Sequence, residues 1–409
     1  MTVSVLFLAE RYLPEWGGGG ELSGALVAEL VSRIPGYRTS VLTQGDGGMD
    51  YVNGVTVHRT IRRAPTGVPD DLSRGPLLTA RAAPSIARAA RDADVVHCLS
   101  PRAIPAVVAG ARLAGVPATS VMNDNWATCF LHTHVRRGRL CTSCTPEGIR
   151  ECLSDTGGNV RAAPLLLRQF RGRIRALNDL SAVVAVVPSI KRQLEQCGAR
   201  PPVTFIPNPV DLSSYAGVHA REAEPGLVVF VGRLSTGKGV PEAVGAFAAA
   251  AKARGWARME VVGDGPALGD SRRRARELGV EDRVAFVGFR PPGTMPEVLS
   301  RAQVVLAPFV RAEAFGRVGF EAAAAGRPVL TTGLWGGVEV LHQTPGAGVV
   351  VPWDDQSAWA TALGEMLDDP ARCAAMGREA RKRVEALYAG DALQRAYRAF
   401  FEGVIGQTA

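Results

Sequence analysis

Residues 227–239, LVVFVGRLSTGKG, and residues 313–330, EAFGRVGFEAAAAGRPVL, decide how this chain is read. The first stretch is an apolar run of strand length ending in Gly232, Gly237 and Gly239 beside Arg233 and Lys238. A strand that enters a glycine-rich basic loop makes a phosphate cradle, because absent side chains let backbone amides approach an anion. Gly239 follows Lys238, so the GxxxxGK[ST] spacing is missing and the loop is not a Walker motif; a solvated basic turn is the competing reading. The second stretch predicts a loop through Ala314, Phe315 and Gly316, then a helix from Arg317 to Ala325 that Gly326 ends and Pro328 follows. The amides at 316–318 then lie at a helix N-terminus, where free donors and partial positive charge favour an anion. Glu313 and Glu321 flank that turn. Carboxylates repel phosphate but accept hydrogen bonds strongly from sugar hydroxyls, which are their expected partners.

Outward from these stretches, strand-like and helix-like segments alternate almost throughout, the pattern of parallel sheets covered by helices. One set runs from VSVLFLA (3–9) to VTFIP (203–207), and a second from LVVFVG (227–232) to GVVV (348–351). The junction IPNPVDLSSYAG is rich in Pro, Gly and small polar residues. The expected organisation is α/β, with Rossmann-like domains at 1–210 and 211–385 and a helix at 386–409 packing back on the first. Open parallel sheets bind ligands outside the carboxyl ends of their strands, so two such domains are expected to face each other across a cleft.

The 409 residues include 47 Lys plus Arg and 39 Asp plus Glu, a net charge of +8 that favours anionic partners. Only Lys191, Lys238, Lys252 and Lys382 are lysines, so Lys238 stands out against an arginine background. No apolar run approaches the roughly eighteen residues of a membrane-spanning helix, and the start reads as a strand and not as a secretory signal, so the cytoplasm is the expected compartment. The positive charge is dispersed and carries no DNA- or RNA-binding motif, which argues against nucleic acid.

GRLSTGKG, VVGDGP (261–266), VAFVGF (284–289) and the Glu-x7-Glu of EAFGRVGFE together resemble the retaining glycosyltransferases of family 4, which have the GT-B fold. LPEWGGGGELSGALVAELV, DVVHC, VPSIKRQL and FIPNPVD are similar to further parts of that family, so about nine-tenths of the chain falls within the pattern. The resemblance implies that Arg233 and Lys238 hold the diphosphate of a nucleotide-sugar donor, most simply a UDP-sugar. It implies that Glu313 meets the donor sugar, Glu321 the ribose, and Phe315, Gly316, Arg317 and Val318 the sugar and β-phosphate. Gly232 belongs to the same loop, Phe289 and Arg290 occupy the base-contacting position, and Gly19 and Gly20, in the loop from Gly17 to Gly20, approach the diphosphate from the first domain. Asp124 joins Arg233, Lys238 and Glu313 as the implied catalytic set. One departure concerns the His-Asp pair of many relatives, which here reads Asn123-Asp124; Asn123 can donate from its amide but cannot carry charge. Family members need no divalent metal or other catalytic cofactor, and the only DxD, Asp92 to Asp94, precedes an ordinary strand and is read as solvent-facing. The implied reaction moves a hexose-type sugar, with its configuration kept, to a hydroxyl of a small natural product, a polysaccharide or a lipid-linked sugar. A nucleotide-sugar 2-epimerase or phosphorylase on the same fold and a non-catalytic nucleotide-sugar binder are the alternatives.

Within the insert at 125–155, Cys129, Cys141, Cys144 and Cys152 follow a C-x11-C-x2-C-x7-C spacing. The spacing is compatible with structural zinc, and free thiols and disulfides are the other readings. Residues 161–177, RAAPLLLRQFRGRIRAL, form a basic amphipathic pattern that would suit peripheral contact with an anionic membrane, or simply pack its apolar face inward.

Overall fold

The computed structural model describes residues 2–407 apart from 16–17, 62–69, 137–138, 142–143 and 343–345. The chain divides into unit 1, Met1–Pro209 with Asp391–Ala409, and unit 2, Val210–Gly390.

Unit 1 contains, in order, β1 (Val3–Leu8), α1 (Gly19–Ser32), β2 (Tyr37–Gln44), β3 (Met49–Val52), β4 (Val55–Ile61), α2 (Asp70–Ala89), β5 (Val95–Cys98), α3 (Ile104–Ala114) and β6 (Ala118–Met122). The insert follows with β7 (Val135–Arg136), β8 (Arg139–Leu140) and α4 (Pro146–Asp155), and then come α5 (Ala163–Asn178), β9 (Ala182–Ala185), α6 (Pro188–Gln196) and β10 (Val203–Phe205). The main sheet has the order β10-β9-β6-β5-β1-β2-β4-β3. All pairings in it are parallel except the β3–β4 edge hairpin, which the alternation of strands and helices does not predict. Its signal is nevertheless present. Asn53 and Gly54 turn the hairpin with φ of 49° and 87°, the two left-handed positions that an Asn-Gly pair occupies at low cost.

Unit 2 contains β11 (Leu227–Val231), α7 (Val240–Ala251), β12 (Arg258–Val262), α8 (Leu268–Glu277), β13 (Val284–Gly288), α9 (Met295–Arg301), β14 (Val304–Ala307), α10 (Arg317–Ala324), β15 (Val329–Thr332), α11 (Val338–Leu341), β16 (Gly348–Val351), α12 (Gln356–Asp368) and α13 (Pro370–Leu387). Its six strands are all parallel in the order β13-β12-β11-β14-β15-β16. Strands such as Val304–Ala307 and Val329–Thr332 are buried along their whole length, as expected for a sheet covered on both faces. Phe247 of α7 and Trp359, Leu363 and Leu367 of α12 pack in the same core as Val228, Phe230 and Leu306 of the sheet. The order reverses direction between β11 and β14, and their carboxyl ends are the switch point where an open α/β sheet binds ligand.

Helix α14 (Ala392–Gly406) belongs to unit 1, where Tyr397, Phe400 and Phe401 surround His97 of β5 with ring centroids 5.4–6.5 Å away. His97 is fully buried, with Nδ1 2.8 Å from Thr119 Oγ1, and burial pushes its imidazole down to about 3 from an ordinary 6.5. The unfolded chain therefore takes up a proton in the window between those values that the folded chain refuses. Stability from neutral His97 is complete above pH 6.5 and is lost as pH falls toward 3, by at most about 1.4 kcal/mol per pH unit. His342 of unit 2, pushed down to about 4 chiefly by burial, adds the same sign. Urea unfolding of wild type and His97→Leu between pH 7 and 5 should show a shallower loss in the variant; equal slopes would refute this origin of the acid sensitivity.

Candidate active site

At the switch point of unit 2, the loop after β11 is pressed against the loop after β14. Gly239 has φ 70°, and a Cβ there would lie 1.9 Å from the carbonyl oxygen of Pro308, so only glycine fits. Val310 N donates to Gly237 O at 3.3 Å across the same contact. This approach carries Lys238 to Glu313. Lys238 Nζ stands 2.7 Å from Glu313 Oε2 and 5.1 Å from the centre of the Phe309 ring, with both charged side chains 28% exposed.

Glu313 is fixed through its backbone, which pairs as an isolated bridge with Trp335: Glu313 N donates to Leu334 O at 2.9 Å, and Gly336 N donates to Glu313 O at 2.8 Å. The turn that follows places Gly316 at φ 57° and starts α10 at Arg317. The first hydrogen bond of the turn runs from Gly319 N to Gly316 O at 3.0 Å, leaving the amides of Arg317 and Val318 at the open end of the helix. Arg317 forks onto Glu321 from Nε at 3.1 Å and Nη2 at 2.9 Å, and this pair is mostly shielded from solvent. Tyr215 lies close to both, and burial with the Glu321 charge pushes its hydroxyl pKa upward. The structure thus gives each predicted carboxylate its own cation, one on either side of the helix start.

The remaining predicted residues of unit 2 divide. Gly232, with φ 155°, packs its carbonyl where a Cβ on Gly263 would be 1.9 Å away, so it joins the β11 and β12 loops. Arg233 is exposed and has no ion pair among the described residues. Phe289, 61% exposed, and the exposed Arg290 stand at the end of the edge strand β13, two strands from β11 in the sheet. Phe315 was expected to meet ligand, but its ring is buried and stacked on Phe320 with centroids 4.1 Å apart, while its carbonyl accepts from Trp335 Nε1 at 2.6 Å. Trp335 is the site residue that motif reading passed over. Gly316, Gly319 and Gly337 all pack on its ring, and the GLWGG stretch at 333–337 is the signal: a lone Trp among glycines needs close backbone contact.

In unit 1, Gly19 and Gly20 open α1, and a Cβ on Gly20 would lie 3.6 Å from Asn123 Nδ2, so helix start and strand end converge at the carboxyl edge of the sheet. Gly17 lies outside the described residues. Asn123 Nδ2 is 3.5 Å from Leu99 O. Asp124 accepts from Trp126 N at 2.9 Å and has Oδ2 3.4 Å from His132 Nδ1. Burial acts to raise the Asp124 carboxyl, and His132, Trp126 N–H and Arg102 outweigh it, holding the group below its ordinary range. Asp92 and Asp94 are exposed, with Asp94 Oδ2 accepting from Ser4 N at 2.7 Å.

The insert brings Cys129 and Cys144 together. Cys129 Sγ accepts from His134 N at 3.3 Å and Cys144 Sγ from Phe130 N at 3.2 Å. The Cys144 thiol donates a hydrogen bond to the Cys129 sulfur, the largest of the effects that draw Cys129 down and push Cys144 upward. None of the seven cysteines is in a disulfide, and among the described residues no three His, Cys, Asp or Glu side chains are gathered to hold a metal ion. Helix α5 buries Leu166, Phe170 and Leu177 and leaves Arg161, Arg168, Arg171 and Arg175 nearby in water. Among the described residues no helix is long and apolar enough to cross a membrane.

The family model described as Glycosyltransferase Family 4 matches residues 16–214, and that described as Glycosyl transferases group 1 matches residues 215–383. A D-inositol 3-phosphate glycosyltransferase of Nocardia farcinica is 31% identical over 271 residues, 62% of this chain and 57% of that protein. A 2-deoxystreptamine glucosyltransferase of Streptomyces kanamyceticus is 34% identical over 145 residues, 36% of this chain and 37% of that protein. The alignments therefore span less than two thirds of the length of these relatives. Among solved structures, Anabaena HepE in complex with UDP-glucose has a TM-score of 0.72 at 19% identity, covering 98% of this chain and 99% of that one. Sucrose-phosphate synthase from Thermosynechococcus elongatus has a TM-score of 0.73 at 19% identity, with coverage of 99% and 100%.

Proposed function

The chain belongs to the group 1 and family 4 glycosyltransferases of the GT-B fold, and from that premise we propose that it transfers a hexose-type sugar from a nucleotide-diphosphate donor to an acceptor hydroxyl, with retention and without a divalent ion. The observation that carries this reading is the Lys238–Glu313 pair, 2.7 Å apart at the switch point beside the start of α10. A sugar diphosphate placed there has its charge met by the ammonium group, by Arg233 and by the amides of Arg317 and Val318. Glu313 faces the sugar hydroxyls.

Transfer breaks the bond between the anomeric carbon and the β-phosphate oxygen, forms a bond from the acceptor oxygen to the same face, and moves the acceptor proton to the departing phosphate. The negative charge that grows on that phosphate is stabilised in place by fixed donors, the role a metal ion fills in other transferases. Within this proposal Asp124 of unit 1 is assigned the role of the acceptor-side carboxylate. A UDP-sugar is the expected donor, since HepE is solved with UDP-glucose. D-inositol 3-phosphate and 2-deoxystreptamine, which the relatives' names carry, join the acceptor panel. Contact with an anionic membrane would rest on the exposed arginines of α5, whose large apolar side chains are mostly committed to the core.

Calorimetry with UDP, GDP, dTDP and ADP should give heat with at least one, and product separation from the matching labelled nucleotide sugar should show transfer that persists in chelator. No heat with any of the four would overturn the donor assignment. Loss of turnover in chelator, restored by magnesium, would overturn the metal-free mechanism.

A further inference from the structure

The insert of unit 1 reaches back to the carboxyl end of β6 through one chain of contacts. Arg173 Nη1 stands 3.3 Å from His132 Nε2, and His132 Nδ1 stands 3.4 Å from Asp124 Oδ2. A guanidinium can only donate, so Nε2 of the imidazole accepts and its single proton lies on Nδ1, facing the carboxylate. Asp124 Oδ1 already takes the amide proton of Trp126, so both carboxylate oxygens are claimed from defined directions. Arg173 is itself anchored, donating to Trp126 O at 3.0 Å and Phe130 O at 3.4 Å and lying 5.6 Å from the ring centres of Trp126 and Phe170. His132 holds φ 61°, a left-handed conformation that glycine or asparagine adopts more easily, and its carbonyl accepts from Asn125 Nδ2 at 3.3 Å. The His132 side chain is 17% exposed and that of Asp124 37%, so the carboxylate stays reachable while the relay behind it is shielded.

We propose that His132 and Arg173 are positioning residues that hold the Asp124 carboxylate in one orientation, through a relay running from guanidinium to imidazole to carboxylate. The proposal rests on the transferase reading above, because it is that reading which places a substrate before Asp124. The relay also explains the presence of histidine at a strained backbone position: the imidazole joins two fixed groups that neither a glycine nor an alanine could connect.

The test uses the full chain with His132→Gly and His132→Asn. Glycine relieves the backbone and removes the donor, whereas asparagine tolerates the left-handed conformation and offers an amide N–H near the Nδ1 position. With the nucleotide sugar that wild type turns over, His132→Gly should lower kcat about ten- to hundredfold and leave the affinity for the nucleoside diphosphate essentially unchanged. His132→Asn should recover most of that loss. Long-range nitrogen–proton NMR of the histidine rings should show the Nδ1-protonated tautomer of His132, with Nε2 as the acceptor. Full activity in His132→Gly, a His132→Asn as poor as the glycine variant, or a proton on Nε2 would each overturn the relay. If wild type neither binds nor turns over any nucleotide sugar, it is the transferase reading that fails, and the NMR result alone then decides whether the relay exists.

Discussion

Lys238→Ala is expected to lower turnover of the nucleotide-sugar donor by about 10²–10³, the effect of removing one preorganised donor aimed at a developing oxyanion. Two losses combine. The ammonium group no longer meets the leaving phosphate, and Glu313, 2.7 Å away in wild type, is left as an uncompensated carboxylate at the site where an anion must bind. Affinity for the nucleoside diphosphate should therefore fall along with kcat. The fold should survive, because both side chains are partly exposed and the glycine contacts that hold the loops do not involve the lysine side chain. Steady-state kinetics with a thermal melt on the same sample checks both halves. A Lys238→Ala protein that melts as wild type and retains near-normal turnover would remove this pair from the chemistry.

Gly319→Ala should damage the same site without touching a substrate. A Cβ at 319 would stand 2.0 Å from Trp335 Cη2, within the fully buried packing of Trp335 against Phe320 and Phe309. Overpacking of this kind costs about 1–3 kcal/mol and should lower the melting temperature of unit 2 by several degrees. Trp335 also donates to Phe315 O and bridges the Glu313 backbone, so moving the indole moves the loop that aims Glu313 at Lys238. Turnover should drop with stability. Adding Trp335→Phe to Gly319→Ala frees space and should recover part of the melting temperature without recovering activity, since phenylalanine has no N–H for Phe315 O. A Gly319→Ala protein with unchanged melting and activity would show that the indole has room to move.

The division between what could be read and what could not follows from how far each feature reaches along the chain. LVVFVGRLSTGKG and EAFGRVGFEAAAAGRPVL carry their strand, loop and helix signals locally, in apolar runs, glycines and a proline, and the structure has β11, β14 and α10 around them. The glycines beside Trp335 signal a close backbone contact, but the partners of that contact, Glu313, Gly316 and Gly319, lie at a distance in sequence and are not encoded next to it. Phe315 shows the opposite case: it sits inside a site motif, and its stacking on Phe320 shows that the ring itself serves the core. The hairpin at Asn53-Gly54 was legible but overshadowed by the parallel pattern around it.

Sequence by itself determined the fold class and the family resemblance: alternating strands and helices indicated parallel sheets, and the glycine, lysine and glutamate motifs at those spacings carried the likeness to the family 4 glycosyltransferases. Tertiary structure decided the partners. It joined Lys238 to Glu313 across 75 residues, put Arg317 on Glu321, and brought His132 and Arg173 of the insert and its following helix to Asp124. Charge pairing depends on distances of a few ångströms between residues far apart in the chain, and those distances are set by strand order and core packing, which local sequence pattern does not contain.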